Sequence, residues 1–165
     1  QLSIEIVIKF NCIFITFKPI NMSVSDRLKT MREEKAAANL VAAENFLSEN
    51  ATKQGVVVLT SGLQYQILVE GQGEKPQLQN IVTCHYHGTL ISGEVFDSSV
   101  KRGQPASFPV NGVIKGWIEA LQLMPVGSKW RLFLHPNLAY GDKQVSALIG
   151  PNCALIFDVE LIKVK

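Results

Sequence analysis

Between Asn50 and Gly55 the spacing of the apolar residues changes from helical to strand-like, and that switch decides which folds are open to the chain. On its N-terminal side, DRLKTMREEKAAANLVAAENFLSEN (26–50) is rich in alanine and straight-chain residues. Ala36, Leu40, Ala43 and Leu47 recur there at helical intervals, with Phe46 beside them. This predicts an amphipathic helix of about 25 residues, capped by Ser23 or Ser25 and closed by the polar run that ends at Gly55. Such a helix is longer than a lone globular domain usually needs. A spacer, a dimerisation arm and a helix laid back on the domain all remain open.

On the C-terminal side, Leu63, Tyr65, Ile67 and Val69 alternate with more polar neighbours up to Gly71 and Gly73, which predicts a half-buried strand. In the next strand Val82, Cys84 and Tyr86 share one face while His85 and His87 share the other. Gly88 and Ser92-Gly93 permit turns before Val95-Phe96 brings the chain back. Asp97-Ser98-Ser99 and Lys101-Arg102-Gly103 read as loop, followed by a short apolar segment around Phe108. Ile114, Trp117, Ile118 and Leu121 then fall at i, i+3, i+4 and i+7, a helix of about two turns fenced by Gly112 and Pro125. KWRLFLH and ALIFDVELIKVK supply further strands on either side of the loop HPNLAYGDKQVSALIGPN. Several short antiparallel strands with one short helix predict an α+β fold, a curved antiparallel sheet wrapped around that helix and preceded by the long N-terminal helix. The expected division is an unassigned apolar extension (1–22), a helical linker or arm (23–54) and a compact domain (55–165).

The extension, QLSIEIVIKFNCIFITFKPI over its first twenty residues, is apolar and β-branched, and its partial alternation from Ile4 to Phe10 would suit a strand. It lacks a basic start followed by a small-residue cleavage site, and acid and lysine interrupt it. Neither a signal peptide nor a membrane span reads cleanly.

Several functions lack support in the residues. A net charge of +2 with scattered basic residues gives no phosphate-tracking surface, so no nucleic-acid partner is expected. Cys12, Cys84 and Cys153 have no Cys-x-x-Cys spacing, which favours buried free thiols over a disulfide framework or thiolate zinc site, though a Cys84–Cys153 bridge stays open. His85 and His87 have no evident third metal donor, and Asp97-Ser98-Ser99 lacks a Gly-x-Ser-x-Gly elbow. No metal or cofactor is expected.

The stretch Cys84–Trp117 is richer. It places Tyr86, Phe96, Asp97, Phe108, Val113, Ile114 and Trp117 in one turn-rich segment, the composition of an apolar cleft with few polar handles. Phe96, Phe108, Trp117, Tyr140 and Phe157 are candidates to line it, with Asp97 and the phenols of Tyr86 and Tyr140 at its edge. A tryptophan floor would suit a flat ring such as proline. Ordinary core packing explains the same residues.

YHGTLISGEVFDSS, FPVNGVIKGWIEALQLMPVGSKW, NLAYG and LIFDVELIKV resemble the FK506-binding family of peptidyl-prolyl cis/trans isomerases, or rotamases, over roughly Gly62 to Lys165. The preceding helix, GVVVLTSGLQYQILVEGQG and LIGPN resemble more narrowly the macrophage infectivity potentiator proteins, which carry a long helical linker and an N-terminal dimerisation module. The resemblance implies an antiparallel sheet curling around a short helix, with the pocket between them. Trp117 would form the floor, and Tyr86, Phe96, Phe108, Val113, Ile114, Tyr140 and Phe157 the lining. Asp97 would be the acid at the rim, Ile149 would bound the far side, and the Ile114 N–H and Tyr140 hydroxyl would bind carbonyls.

It further implies proline-containing polypeptides as substrates, FK506- or rapamycin-type macrocycles as inhibitors, a role in protein folding with a chaperone-like alternative, and a homodimer through the N-terminal region. A bacterial periplasmic or cell-surface location is favoured, with the cytoplasm as alternative. His87 departs from the threonine usual at its position, and Val145 and Ala147 depart from the usual glycine-rich loop. His135, before Pro136, is expected to be structural.

Overall fold

In the computed structural model, which describes residues 23–165, the predicted long helix α1 runs from Val24 to Asn50. Ser23 caps it: its hydroxyl accepts from the Asp26 N–H at 3.1 Å while the Asp26 carboxylate accepts from the Ser23 N–H at 3.3 Å. The expected strand at Ile4–Phe10 and Cys12 lie outside the described residues.

The helix divides into two halves. From Val24 to Lys35 nearly every residue is exposed, whereas Ala43, Leu47 and Asn50 are buried and Ala36, Asn39, Leu40 and Phe46 are half-buried. The second half is therefore laid back on the domain. Buried polar groups fix it there: Asn50 Nδ2 donates to Gln64 Oε1 and Gln64 Nε2 donates to the Leu47 carbonyl, both at 2.8 Å.

Seven strands follow: β1 (Val56–Val58), β2 (Gln64–Val69), β3 (Ile81–Leu90), β4 (Val95–Ser98), β5 (Ala106–Pro109), β6 (Lys129–Leu134) and β7 (Leu155–Val164). All pairings are antiparallel, in the order β1-β2-β6-β7-β3. The free edge of β3 is shared, its first half pairing with β5 and its last with β4. Helix α2 (Ser99–Arg102) links those two short strands, and α3 (Lys115–Leu123) follows β5.

The expectation of a curved sheet wrapped around the short helix is corrected here. Among the described residues no pairing joins β1 to β4 or β5, so the sheet is open and does not curl around α3. Alternation assigns strand faces but carries no information on which strands end a sheet. Here the terminal strands are only 3 and 4 residues long, and their outer edges stay unpaired within the sheet.

Helix α3 packs against one face instead. Trp117, Ala120 and Leu121 join Leu132, Leu134, Leu155, Phe157, Val159 and Leu161 in the core. The approach is close enough that a Cβ at Gly116 would lie 2.5 Å from Leu134 Cδ2. Phe133, between the two core leucines, faces the other side and meets Phe46 of α1 with ring centroids 6.1 Å apart.

Candidate functional site

The site grows from the shared edge of β3. Cys84 is the last β3 residue paired with β5, and His87 the first paired with β4. The gap between them is filled by a side chain. Ser99 is fully buried, accepts from the Tyr86 N–H at 2.8 Å, and lies 3.3 Å from the Tyr86 carbonyl and 3.0 Å from His85 Nδ1. This satisfies the interrupted ladder. The serines read as loop residues are therefore structural: Ser98 ends β4 and caps α2 by accepting from the Lys101 N–H at 3.1 Å.

Trp117, on the first turn of α3, is 4% exposed and is the hub of the aromatic set. Tyr86, Phe108 and Phe157 surround it with centroids 5.6, 5.7 and 5.3 Å away and planes at 81°, 84° and 84°. Phe96 stands edge-on to Phe157 at 5.4 Å. Edge-to-face contacts of this kind hold rings in fixed orientations and add about 0.5–1.5 kcal/mol each beyond burial. Gly88 makes the arrangement possible, since a Cβ there would lie 2.6 Å from the Phe96 ring and 3.0 Å from that of Phe157.

Above Trp117 lies a cavity of about 620 Å³. It is lined by Tyr86, Phe96, Asp97, Phe108, Val113, Ile114, Trp117, Tyr140, Ile149 and Phe157, so all ten sequence-predicted site residues come together. Gly112, Val145 and Ser146 complete the wall. Ile114 is the N-cap of α3; its carbonyl accepts from the Trp117 and Ile118 N–H groups, while its own N–H donates to nothing among the described residues. Trp117 Nε1 is likewise buried without a partner. An apolar cavity with the unpaired Ile114 N–H on its wall is equipped to receive carbonyl-bearing ligands.

Its polar rim is a three-residue cluster. The Tyr86 hydroxyl donates to Asp97 Oδ2 at 2.5 Å, and Arg102 donates to Asp97 Oδ1 and, at 2.9 Å, to the Tyr86 hydroxyl. Partial burial works to raise the Asp97 pKa, but the hydrogen bonds from Tyr86 and Arg102 and the guanidinium charge outweigh it and hold the carboxyl below its ordinary value. Burial, and then the bond to Asp97, push the Tyr86 phenol up. Asp97 is thus a fixed anion and Tyr86 a fixed donor.

Sequence reasoning missed Arg102 by reading 101–103 as loop. The only signal was a cation five positions after the acid, followed by Gly103, which closes α2 at φ 70°.

The histidines lie elsewhere. His87 Nδ1 is 2.9 Å from Ser98 Oγ, and His135 Nδ1 accepts from the Asn137 N–H at 3.2 Å. Among the described residues no group of three or more His, Cys, Asp or Glu is placed to hold a metal ion. Cys84 and Cys153 are unbridged; burial pushes the Cys84 thiol up to about 12. A second cavity of about 530 Å³, between the end of α1 and the sheet, contains none of the predicted residues. Its charged pair is already matched, Arg131 donating twice to Asp158 at 2.5 and 2.7 Å.

Comparison with known proteins agrees with this geometry. A family model described as FKBP-type peptidyl-prolyl cis-trans isomerase matches residues 72–162, and one for the domain amino terminal to it matches residues 16–67. The FKBP-type 22 kDa peptidyl-prolyl cis-trans isomerase of Escherichia coli is 48% identical over 86% of this chain and 68% of its own length. The outer membrane protein MIP of Legionella longbeachae is 54% identical over 80% of this chain and 57% of its own. The chain thus spans between about half and two thirds of the length of such relatives. Among solved structures, FkpA from Escherichia coli superposes with a TM-score of 0.78 at 37% identity, covering 88% of this chain and 74% of that one.

Proposed function

The chain belongs to the family of FKBP-type peptidyl-prolyl cis-trans isomerases, and we propose that the cavity over Trp117 is where it rotates the amide bond preceding proline in polypeptides. The observation that carries this is the coincidence of an aromatic floor, the unpaired Ile114 N–H and one hydrogen-bonded anion, Asp97, in a single cavity of about 620 Å³.

The chemistry follows from the bond. Rotation is opposed by a barrier of about 18–20 kcal/mol because the planar amide has partial double-bond character. Twisting it removes that resonance and with it part of the charge separation between oxygen and nitrogen. A site that excludes water therefore favours the twisted form over the planar one. Phe96, Trp117 and Phe157 hold the proline ring, while the Ile114 N–H and the Tyr140 hydroxyl hold neighbouring carbonyls, so one side of the bond is fixed as the other turns. Asp97, bound by Tyr86 and Arg102, sets the local field and transfers no proton. None of these steps calls on a metal or cofactor.

Macrocycles of the FK506 and rapamycin type would compete for the same cavity. The test is the cis-to-trans rate of a short X-Pro peptide with the wild-type chain, with Trp117→Ala, and with added macrocycle. Acceleration that the macrocycle suppresses and the substitution weakens by roughly tenfold or more, as loss of a positioning surface does, supports the reading. Correctly folded wild-type protein that gives no acceleration overturns it.

A holding function, in which the groove retains apolar or proline-containing segments without turnover, is the second reading. It is favoured by the exposed Val24, Leu28 and Met31 on the free half of α1, which offer apolar surface outside the cavity. The same stripe suits a homodimer formed through the N-terminal region. An envelope location is supported by the relative described as an outer membrane protein; no described helix is long and apolar enough to cross a membrane.

A further inference from the structure

Part of the cavity wall is supplied by the loop 141–152, through Val145, Ser146 and Ile149. Its internal hydrogen bonds gather at the tip, where Ser146 Oγ accepts from the Leu148 and Ile149 N–H groups at 3.2 and 3.0 Å and the Ser146 carbonyl accepts from Gln144 Nε2 at 3.1 Å. Val145 and Ser146 N–H groups donate to the Ile149 carbonyl at 3.0 and 3.3 Å, and the Asn152 N–H closes the loop on the Gly141 carbonyl at 2.7 Å. These bonds tie Ile149, 6% exposed, to Val145 and Ser146 within the tip, but they do not tie the tip to the rest of the domain.

Its root is held from outside. Asn39, on the laid-back half of α1, donates from Nδ2 to the Pro151 carbonyl at 2.7 Å. Asn152 returns the contact, donating from its own Nδ2 to the Ala36 carbonyl at 3.2 Å. The two bonds cross between segments more than a hundred residues apart in sequence, with |i−j| of 112 and 116. Between Ile149 and the clamped Pro151 there is only Gly150, where an added Cβ would come within 3.4 Å of both Asn39 Nδ2 and Lys35 Cε.

Asn152 has a φ of 54°, the left-handed region, and is the only non-glycine described residue there. Such a conformation costs roughly 1–3 kcal/mol and persists where surrounding contacts impose it. Two contacts hold Asn152 here, its N–H on the Gly141 carbonyl and its side chain on the Ala36 carbonyl of α1.

We propose that Asn39 is a positioning residue for the isomerase site: by holding the Pro151 carbonyl it fixes the root of the 141–152 loop and so the place of Ile149 on the cavity wall. Helix α1 is then a working part of the site as well as a connection to what precedes it. The inference rests on the cavity over Trp117 being the substrate site.

The test uses the whole chain with Asn39→Ala, the near-isosteric Asn39→Asp, which keeps shape but loses the donor, and Asn152→Gly, which keeps the left-handed backbone but loses the return bond. Two readouts are taken: kcat and KM on an X-Pro peptide, and amide hydrogen exchange over 141–152. The expected result is KM raised about fivefold by each asparagine-39 variant, the size of one neutral hydrogen bond, with kcat within about twofold and faster exchange confined to the loop. Asn152→Gly should act in the same direction.

Wild-type exchange and KM in Asn39→Asp would overturn the proposal, as would a fall in kcat at unchanged KM. If wild-type protein itself shows no turnover, the substrate-site reading fails. The exchange arm then still decides whether Asn39 holds the loop.

Discussion

At Gly88 the absence of a side chain is what lets Phe96 and Phe157 meet above Trp117. Gly88→Ala should force the two rings apart, costing about 1–3 kcal/mol as overpacking does. The fold should survive with isomerase activity lowered roughly tenfold, measured as kcat/KM beside a denaturant melt. Asp97 carries a pH prediction. Its folded pKa lies below the ordinary value, so the stability it contributes is present above the unfolded value of about 3.9. That contribution is lost as pH falls through the folded value. Arg102→Gln should move the Asp97 titration upward, visible in a carboxyl carbon NMR titration. Cys84 has the opposite sign: its folded pKa is raised by burial to about 12, so its contribution is present below the ordinary thiol value and is lost as pH rises towards 12. Native Cys84 should resist alkylating reagents that label it promptly in denaturant. The residue-type logic of the site was legible because ten aromatic, apolar and acidic positions point to one kind of cavity. Arg102 and Ser99 were not, because what they do depends on hydrogen bonds across the break in the β3 edge.

Among the elements, α1 was legible as a helix but not as a neighbour. Periodicity named Ala36, Leu40, Ala43 and Leu47 as one stripe, and they lie half-buried or buried on the domain. Nothing in that stripe distinguished a partner in another chain from the sheet of its own, since apolar surface is indifferent to which apolar surface covers it. The distinction rests on Asn50 and Gln64, 1% and 5% exposed, whose amides satisfy each other and the end of the helix. Gln64→Ala would leave the buried Asn50 amide unpaired and the Leu47 carbonyl with the Ala51 N–H as its remaining donor, and should destabilise the protein by about 1–3 kcal/mol, read from a thermal or urea melt. Ser23→Ala should do less: its cap serves an exposed half-helix, so the first turn frays by about 1 kcal/mol while the midpoint of global unfolding stays in place.

The molecule as a whole has one face of its open sheet under α3 and the other partly under the end of α1. Hydrogen exchange should therefore show the amides of 43–50 protected together with β3, β6 and β7, and those of 24–35 exchanging fast, because burial of α1 begins only past Lys35. Equal protection along the whole helix would mean that something further covers its free half. The sheet itself is where the sequence reading failed. Alternation predicted the strands and, in β3 and β6, their buried faces; in β2 it failed beyond Tyr65, where Ile67 and Val69 are exposed, and the expectation of a sheet wrapped around α3 went beyond what alternation contains.

Local chemistry in the sequence determined the elements: where the 3.6-residue period gives way to the two-residue period, where serine caps and glycine stops, and which side chains are apolar enough to form a cavity. It also determined the family, because the motifs at 86–99, 108–130, 137–141 and 155–164 are specific in combination. Only the tertiary structure decided that β4 and β5 share one edge of β3, that the sheet stays open, that Arg102 completes the rim, and that Asn39 reaches a loop more than a hundred residues away. The physical reason is the same in each case. Periods and caps are set by neighbours in sequence, whereas strand order and buried polar pairing depend on which distant surfaces meet when the chain closes on itself.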